Sequence, residues 1–152
     1  MTIREATDTE IEDILNYAPV VIKEATVGYA EPRRDVSIQI ASSFLLGGGY
    51  YLVHKENNAT LGWIGVGETF NYYTDEAIGL IPEIYILPQY RQQGIATKLF
   101  KEAFKELKEK GYKKVQLNVF AGNHAKDLYH KLDFQAISTV MERDLDSPLH
   151  SS

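Results

Sequence analysis

Residues 83–111 read EIYILPQYRQQGIATKLFKEAFKELKEKG, and this stretch decides the fold. Residues 84–87 are β-branched, aromatic or aliphatic, which predicts a buried strand. From Ile95 onward apolar residues recur at helical spacing and charged residues take the other face, so a helix is expected to end at Gly111. Residues 113–120 alternate between apolar and polar side chains, which predicts another strand. Two strands joined by a long helix should be parallel, with a right-handed crossover.

The turn before this helix has the composition of an anion-binding site. A helix N-terminus exposes unpaired N–H groups and carries a partial positive charge. Gly94 lets the backbone approach a ligand, Ala96 is nearly as small, and Arg91 adds a fixed cation. These features suit a phosphate or pyrophosphate group, although an ordinary strand-to-helix turn with a glycine is an equal alternative from these residues alone. The turn matches neither the nucleotide-triphosphate loop, since no Gly-Lys-Ser/Thr follows, nor the spacing of the dinucleotide fingerprint.

Two segments of the chain resemble the motifs of one enzyme family. Residues Arg91-Gln92-Gln93-Gly94-Ile95-Ala96 resemble the acetyl-CoA signature of the GNAT superfamily of N-acetyltransferases, which is written Arg/Gln-x-x-Gly-x-Gly/Ala. Downstream, residues 123–134 are similar to the family's Asn-x-Ala-x-x-Leu-Tyr-x-Lys-Leu-Gly-Phe. Asp133 replaces the last glycine, and aspartate tolerates a positive φ better than most residues. The two motifs occur in the family's order, and the resemblance covers residues 80–144 well.

The resemblance implies a single-domain α/β GNAT fold. Its sheet would be mixed but mostly antiparallel, with roughly six to seven strands, and about four helices would flank it. In that fold a bulged central strand splays from the parallel strand beside it and leaves a V-shaped gap for the pantetheine arm. Pro82 cannot donate to a strand ladder, which predicts a bulge or an edge within the strand at residues 79–87. Residues 1–145 are expected to form the domain and residues 146–152 a flexible tail.

Cap, turn and alternation signals predict the remaining elements. Thr7 and Glu10 have the spacing of a capping box, so a helix should begin there, and Pro19 should break or kink it. The other predictions are a strand at residues 2–6, a helix at 35–46, a hairpin of strands 50–55 and 60–67, a loop at 68–75, a helix at 122–132 and one or two strands within 134–144.

Composition indicates a single globular domain. The chain has 152 residues, of which 44% are hydrophobic, and a net charge of −5. It contains no cysteine, which excludes disulfides, thiolate metal sites and a cysteine nucleophile. The acidic balance argues against broad nucleic-acid binding and is compatible with a cationic amine substrate. No apolar run reaches the length of a membrane span and the N-terminus lacks a signal-peptide core, so we expect a cytoplasmic protein without membrane association.

Three residues are candidates for the proton transfers that amine acetylation by a thioester requires. By resemblance, Tyr129 lies near the cofactor sulfur and acts as general acid, although a half-buried structural tyrosine would be the commoner outcome for this residue taken alone. Glu83, just before the pantetheine-binding residues, is the first candidate for the general base. Glu68 is the second, since its loop should face the same cleft. Either carboxylate could instead be a solvated surface group, and a water relay could replace both.

The two motifs also imply the cofactor contacts. The N–H groups of Ile84 and Ile86 should pair with pantetheine amides as an added strand would, and Asn123 should contact the same arm or cap its helix. The expected cofactor-binding residues are Ile84, Tyr85, Ile86, Arg91, Gln92, Gln93, Gly94, Ile95, Ala96, Thr97, Asn123 and Tyr129.

Acceptor and metal sites leave weaker signals. Tyr29, Tyr72 and Tyr73 lie in predicted loops and could line an acceptor pocket, although exposed loop tyrosines also occur without such a role. His124 and His130 are six residues apart and diverge on a helix, so no metal site is predicted.

The implied function is transfer of an acetyl group from acetyl-CoA, as cosubstrate, to a primary amine of a small molecule by direct attack in a ternary complex. A covalent enzyme intermediate is not expected, because no activated nucleophile is recognisable. Two alternatives stay open: acetylation of a protein N-terminus or lysine, and a non-catalytic module that binds CoA. Neither a metal cofactor nor a nucleic-acid or membrane partner is expected, and a homodimer is compatible with the sequence.

Overall fold

The protein is built on a six-stranded sheet with α1 and α2 on one face and α3 and α4 on the other. The computed structural model describes residues 2–150, so Met1 and the last two residues of the predicted tail, Ser151 and Ser152, lie outside the described residues. The elements are β1 (Thr2–Glu5), α1 (Asp8–Ala25), α2 (Arg34–Leu46), β2 (Tyr50–Glu56), β3 (Ala59–Asn71), β4 (Glu76–Leu80), β5 (Ile84–Ile86), α3 (Ile95–Glu109), β6 (Val115–Gln116) and α4 (Lys126–Lys131). Within residues 2–150, none of the helices has the length and apolar content needed to cross a bilayer.

The sheet has the order β1-β2-β3-β4-β6, and neighbouring strands are antiparallel except for the parallel pair β4 and β6. β5 pairs antiparallel with β3, along the part of β3 that β4 does not reach. β4 and β5 are therefore successive halves of one interrupted strand. The mixed, mostly antiparallel sheet, the four helices and the parallel pair predicted from the sequence are confirmed.

The interruption between β4 and β5 opens the sheet. It falls at Pro82, which has no N–H to donate, as the sequence predicts. Just before it, Ile81 N–H donates to Gln116 O at 3.0 Å, which extends the β4–β6 pairing by one residue. Beyond it, β5 stays on β3 and has no strand partner on its other edge among residues 2–150. A gap therefore separates β5 from the segment that follows β6.

Alternation along the strands sends neighbouring side chains into two separate cores. Leu52 and Ile64 pack with Leu99 of α3 on one face. Trp63 and Tyr85 pack with Ile14 of α1 on the other. From Trp63 onward on β3, and along β5, a residue's parity therefore tells which pair of helices it faces.

Helix boundaries follow the local chemistry that the sequence shows. The Thr7 hydroxyl accepts from Glu10 N–H at 3.3 Å and the Glu10 carboxylate accepts from Thr7 N–H at 2.9 Å, which confirms the capping box. α1 continues through Pro19 to Ala25, so this proline does not break the helix. Gly111 and Asp133 have φ values of 95° and 65°, which confirms the left-handed residues predicted after α3 and α4.

Several predicted elements are shorter or longer than expected. β3 extends to Asn71 because its last residues pair with β4, so only residues 72–75 remain of the loop predicted at 68–75. The strand predicted at 113–120 is limited to Val115–Gln116, and the helix predicted at 122–132 to Lys126–Lys131.

The strands predicted within residues 134–144 are wrong, because this segment has no helix or strand. Its apolar side chains Ile137, Val140 and Met141 are 74%, 95% and 89% exposed. An alternating sequence forms a strand only where an edge pairs with it, and none does among residues 2–150.

Candidate functional site

The edge of β5 that faces the gap carries backbone groups that do not bond to β3, of which Ile86 O accepts a hydrogen bond from Arg91 Nε. Leu87 N–H donates to Leu61 O and Gly65 N–H donates to Glu83 O, so the odd-numbered residues of this segment bond to β3. In an antiparallel strand the alternate residues point their N–H and C=O groups the other way. Ile84 and Ile86 therefore direct these groups into the gap, where a ligand amide can add as a strand would.

The N-terminus of α3 lies at the carboxyl end of the same strand. α3 begins after Gly94, whose φ of 78° is a conformation that glycine adopts without steric strain. No side chain among residues 2–150 caps this helix, so the N–H groups of residues 95–97 are available to an anion. A Cβ placed on Gly94 would meet nothing within 4 Å, so the space in front of the turn is open. Gln92 also has a positive φ, 63°, and with Gln93 it completes the exposed turn.

Arg91 stands beside these amides, but its charge is already paired. Its Nε donates to Ile86 O at 2.8 Å, and its guanidinium lies 5.3 Å from the centre of the Tyr85 ring. Its Nη1 lies 2.8 Å from Glu24 Oε1 at the end of α1. Tyr85 itself packs into the α1 core, so its ring supports Arg91 rather than facing the gap. Uncapped amides, an unhindered glycine and one cation form a donor set that fits a pyrophosphate.

Glu83 lies in the break between β4 and β5, on the face that α1 covers. Its Oε2 accepts a hydrogen bond of 2.5 Å from Nε1 of Trp63, which is 2% exposed. Burial raises the pKa of the Glu83 carboxyl to about 7, and the hydrogen bond from Trp63 opposes that rise. A carboxyl that titrates near neutrality can accept a proton in one step and release it in the next.

Glu68, the second candidate base, does not lie in the same cleft as Glu83. It is an exposed residue within β3, where its parity matches that of Ile64, which faces α3, whereas Trp63 faces α1. Its neighbour is Tyr112, whose pKa is raised by burial and by a hydrogen bond to the Glu68 carboxylate. The sheet therefore separates the two carboxylates, contrary to the expectation from sequence.

Tyr129 lies on α4, on the α3 side of the sheet. Its ring is 9% exposed and packs edge-on against Phe100 and Phe134, with centroids 5.9 Å from each. Burial raises the pKa of its hydroxyl, which keeps the phenol protonated at neutral pH. Tyr129 and Glu83 thus stand on opposite faces of the interrupted strand.

Asn123 precedes α4, and both polar atoms of its side chain are in use. Its Oδ1 accepts from Ala125 N–H at 2.9 Å, which caps the turn that leads into the helix. Its Nδ2 donates to Ala25 O at 3.0 Å, at the end of α1. The amide that was expected to reach a pantetheine group is therefore bonded to α1.

The three loop tyrosines lie at two different ends of the sheet. Tyr29 follows α1, where its ring packs 5.5 Å from Phe120 and its hydroxyl donates to Glu142 Oε1 at 2.6 Å. Tyr72 and Tyr73 lie in the turn between β3 and β4 and are 86% and 101% exposed. That turn is at the end of β4 remote from β5, so the structure does not bring Tyr72 and Tyr73 together with Tyr29.

Two cavities lie along α1. One of about 410 Å³ is formed by the last turns of the helix, beside Glu24. The other, of about 400 Å³, lies between the first half of α1 and the β2–β3 hairpin, with Trp63 in its wall. Neither cavity, nor any other part of residues 2–150, contains a group of three or more His, Cys, Asp or Glu side chains that could hold a metal ion.

Two residues shape this site without having been singled out from the sequence. Trp63 holds the Glu83 carboxylate, and Glu24 holds the Arg91 guanidinium. The lone tryptophan in an alternating strand was a signal for Trp63, but only the register of β3 with β5 connects it to Glu83. Glu24 has no sequence signal, because its partner is 67 positions away and on another element.

Comparison with known proteins places the chain beside acetyltransferases. The model of the family described as Acetyltransferase (GNAT) family matches residues 16–134. An aminoglycoside 6'-N-acetyltransferase from Acinetobacter haemolyticus is 17% identical with a TM-score of 0.73, over 97% of this chain and 100% of that chain. A predicted acetyltransferase from Clostridium acetobutylicum, solved with acetyl-CoA, is 22% identical with a TM-score of 0.73, over 95% of this chain and 96% of that chain. At these identities the two structures establish a shared fold, and no curated protein matches the sequence.

Proposed function

The chain belongs to the acetyltransferase (GNAT) family, and on that premise we propose that it moves an acetyl group from acetyl-CoA to a primary amine of a small molecule. The amine attacks the thioester directly in a ternary complex. One observation carries the proposal: the gap-facing N–H groups of Ile84 and Ile86 lead along β5 to the uncapped N–H groups of residues 95–97. Coenzyme A presents amides and then a pyrophosphate, which is the order of these donors.

Each face of the interrupted strand supplies one proton-transfer group. Glu83, on the α1 side, takes the proton that the amine nitrogen loses, directly or through a water molecule. The nitrogen bonds to the carbonyl carbon, the carbon–sulfur bond breaks, and its electron pair stays on sulfur. Tyr129, on the α3 side, donates its hydroxyl proton to that sulfur and regains one from solvent. Glu83 releases its proton to solvent, so amine and thioester become amide and thiol and no net proton is consumed.

A small cationic amine is the acceptor that the observations favour. The net charge of −5 attracts a cation at long range. The neighbour of the same fold from Acinetobacter haemolyticus is an aminoglycoside acetyltransferase, and aminoglycosides are small molecules with several amino groups. Glu83 and Tyr129 perform the same chemistry on any primary amine, so the acceptor is chosen by the shape of its pocket rather than by these two residues.

Release of free thiol from acetyl-CoA tests this proposal. The protein is assayed with an aminoglycoside, a linear polyamine, a peptide with a free N-terminus and a peptide whose only amine is a lysine. We expect thiol release with at least one of the small amines, with its acetylated product seen by mass spectrometry. Release with peptides alone would assign protein acetylation instead. Binding of acetyl-CoA without release for any amine would assign a non-catalytic module, and absence of binding would overturn the proposal.

A further inference from the structure

The end of α1 reaches both sides of the gap. Glu24 pairs with Arg91, which lies beyond the carboxyl end of β5, with 2.8 Å between Oε1 and Nη1. The next residue, Ala25, accepts a hydrogen bond of 3.0 Å from Asn123 Nδ2, which lies beyond the carboxyl end of β6. Since the gap separates these two ends, the segment that joins the contacts crosses its mouth.

The loop after α1 adds to the contacts on the β6 side. The Tyr29 ring packs on Phe120, with centroids 5.5 Å apart, and its hydroxyl bonds to Glu142. Val27 also approaches Gly122, where a Cβ would lie 4.0 Å from Val27 Cγ1. The crossing therefore rests on hydrogen bonds and ring packing with residues distant in sequence, not on the single ion pair.

We propose that residues 22–29 form a strap that closes the cofactor gap in the free protein, and that acetyl-CoA binds by displacing it. The pyrophosphate would take Arg91 from Glu24, and the pantetheine arm would take Asn123 from Ala25. This inference rests on the proposed function, because it assigns Arg91 and Asn123 to the cofactor. It adds Glu24 as a residue that lowers cofactor affinity without touching the cofactor.

The strap has a hinge and an ordered body. Pro19 has no N–H, so α1 lacks one hydrogen bond at this position, and the helix can bend there. Beyond it, the Thr26 hydroxyl donates to Ile22 O at 2.7 Å and Gly28 N–H donates to Lys23 O at 2.9 Å. These local bonds hold the last turn together, so it moves as one unit.

Closure of the strap is weakly held, as a displaceable element requires. Val27 has a φ of 55°, and a β-branched residue in this left-handed region is strained. Val21, next to the hinge, is 3% exposed and packs in the core, whereas Val27 is 52% exposed, so the strap beyond Val21 buries little apolar surface. Glu24 and Arg91 are themselves partly solvated, with side chains 49% and 38% exposed, which makes their ion pair easy to exchange for a phosphate.

A charge-neutral variant of Glu24 tests the strap. In Glu24→Gln the ion pair is lost, and we expect the Kd for acetyl-CoA, measured by calorimetry, to fall roughly two- to fivefold, the range of an exposed ion pair. Glu12→Gln is the matched control, since it removes one negative charge from the same helix before the hinge. Equal Kd values for Glu24→Gln and wild type would overturn the strap.

A reversible cross-link distinguishes displacement of the strap from simple electrostatic repulsion between Glu24 and the cofactor phosphates. The chain has no cysteine, so Val27→Cys with Gly122→Cys creates one defined pair, at positions where a Cβ on Gly122 would lie 4.0 Å from Val27 Cγ1. We expect oxidation to weaken acetyl-CoA binding at least about tenfold and dithiothreitol to restore it, while saturating acetyl-CoA, which has no free thiol, slows the cross-linking. The reduced protein controls for strain at Gly122, whose φ is 85°.

The outcomes distinguish failure of the strap from failure of the function. If the pair does not oxidise in the free protein, or if the oxidised and reduced forms bind acetyl-CoA equally, the strap is wrong although the protein still binds its cofactor. If wild type, Glu24→Gln and the reduced double variant all fail to bind acetyl-CoA, the proposed function itself is wrong.

Discussion

Glu83 can titrate near neutrality because two opposing effects act on one carboxyl group. Burial disfavours its charge, and the indole N–H of Trp63 partly compensates. The indole is itself fixed, since its ring lies 5.5 Å from that of Tyr17 and 5.2 Å from that of Tyr85. One carboxylate oxygen is therefore held by a rigid donor, and the other is left for the proton.

The first prediction concerns the pH profile of acetylation. If Glu83 is the base, kcat/KM should rise with pH through about 7, where its carboxyl ionises, and Glu83→Gln should be slower with that rise removed. Trp63→Phe removes a hydrogen bond that favours the charged carboxylate, so the inflection should move up by about one pH unit. An inflection does not depend on the fraction of active enzyme, so loss of packing at Trp63 alone would not move it. A Glu83→Gln profile that keeps the wild-type inflection would assign the proton to water.

Tyr129 carries the second prediction, because its ring and its hydroxyl have separable tasks. Tyr129→Phe keeps the packing against Phe100 and Phe134 but removes the proton donor. A thiolate is already a fair leaving group, so we expect turnover to fall by on the order of 10- to 1000-fold, with the Kd of acetyl-CoA unchanged. Full turnover with a good amine would show that solvent delivers the proton. A large loss of thermal stability would show that the hydroxyl serves the fold.

Among the elements of the fold, the Glu10 side chain connects β1, β2 and the start of α1. Its carboxylate accepts from Arg4 of β1 at 2.7 Å, from Lys55 of β2 at 2.9 Å and from Thr7 N–H at the start of α1. These hydrogen bonds, first that from Arg4, hold the pKa of the buried Glu10 carboxyl well below its ordinary value of 4.5. The start of α1 is thus fixed to the sheet, whereas its end is held by the exchangeable contacts of the strap.

The third prediction follows from this network. Glu10→Gln leaves two cations without their counter-charge, and the free energy of unfolding at pH 7 should fall by about 2–3 kcal/mol. Because the folded-state pKa is depressed, this contribution is present above about pH 4.5 and is lost as the pH falls towards the folded-state pKa. Urea denaturation of both proteins at pH 7 and pH 3 measures it, with the exposed Glu12→Gln as control. A difference that stays the same at pH 3 would contradict the ionic origin.

What the sequence predicts is set by how far apart the interacting residues lie. The capping box at Thr7, the left-handed Gly94 turn and the break at Pro82 are each encoded within a few residues, and the structure shows all three. The strands predicted within residues 134–144 are absent, because a strand depends on a distant edge that the segment itself does not specify.

The candidate site likewise has parts that the local sequence identifies and parts that depend on distant contacts. The motif around Arg91 locates the candidate anion-binding turn, yet it says nothing of the Glu24 carboxylate that pairs with Arg91. Likewise Glu83 is recognisable on its strand, whereas its hydrogen bond to Trp63 and its separation from Glu68 depend on register and strand parity. Local sequence therefore identifies the groups, and tertiary contacts decide their charge state and access.

For the molecule as a whole, the interrupted strand lies between two cores, and the proposed site takes one residue from each. Glu83 belongs to the face covered by α1, and Tyr129 to the face covered by α3. In the proposed reaction, a thioester lying in the gap would meet Glu83 from one face and Tyr129 from the other, so the two proton transfers would not compete for space. Glu83 and Tyr129 are each desolvated by the core on their own face of the sheet, and this burial raises the pKa values of both.

The last prediction uses the stability of the entire domain as the readout of cofactor binding. A ligand that binds only the folded state at 100 times its Kd stabilises it by about 2.7 kcal/mol, so acetyl-CoA should raise the Tm by about 5–10 °C. NADH and ATP should raise it far less, because neither offers the pantetheine amides that the edge of β5 can pair. Gly94→Glu places bulk and negative charge in front of the α3 amides and should abolish the shift.

Gly94→Asn is the control, since asparagine is neutral and tolerates the φ of 78° better than most residues, so part of the shift should survive. A full acetyl-CoA shift in Gly94→Glu would place the cofactor elsewhere on the molecule, even if the acetyl transfer itself were real.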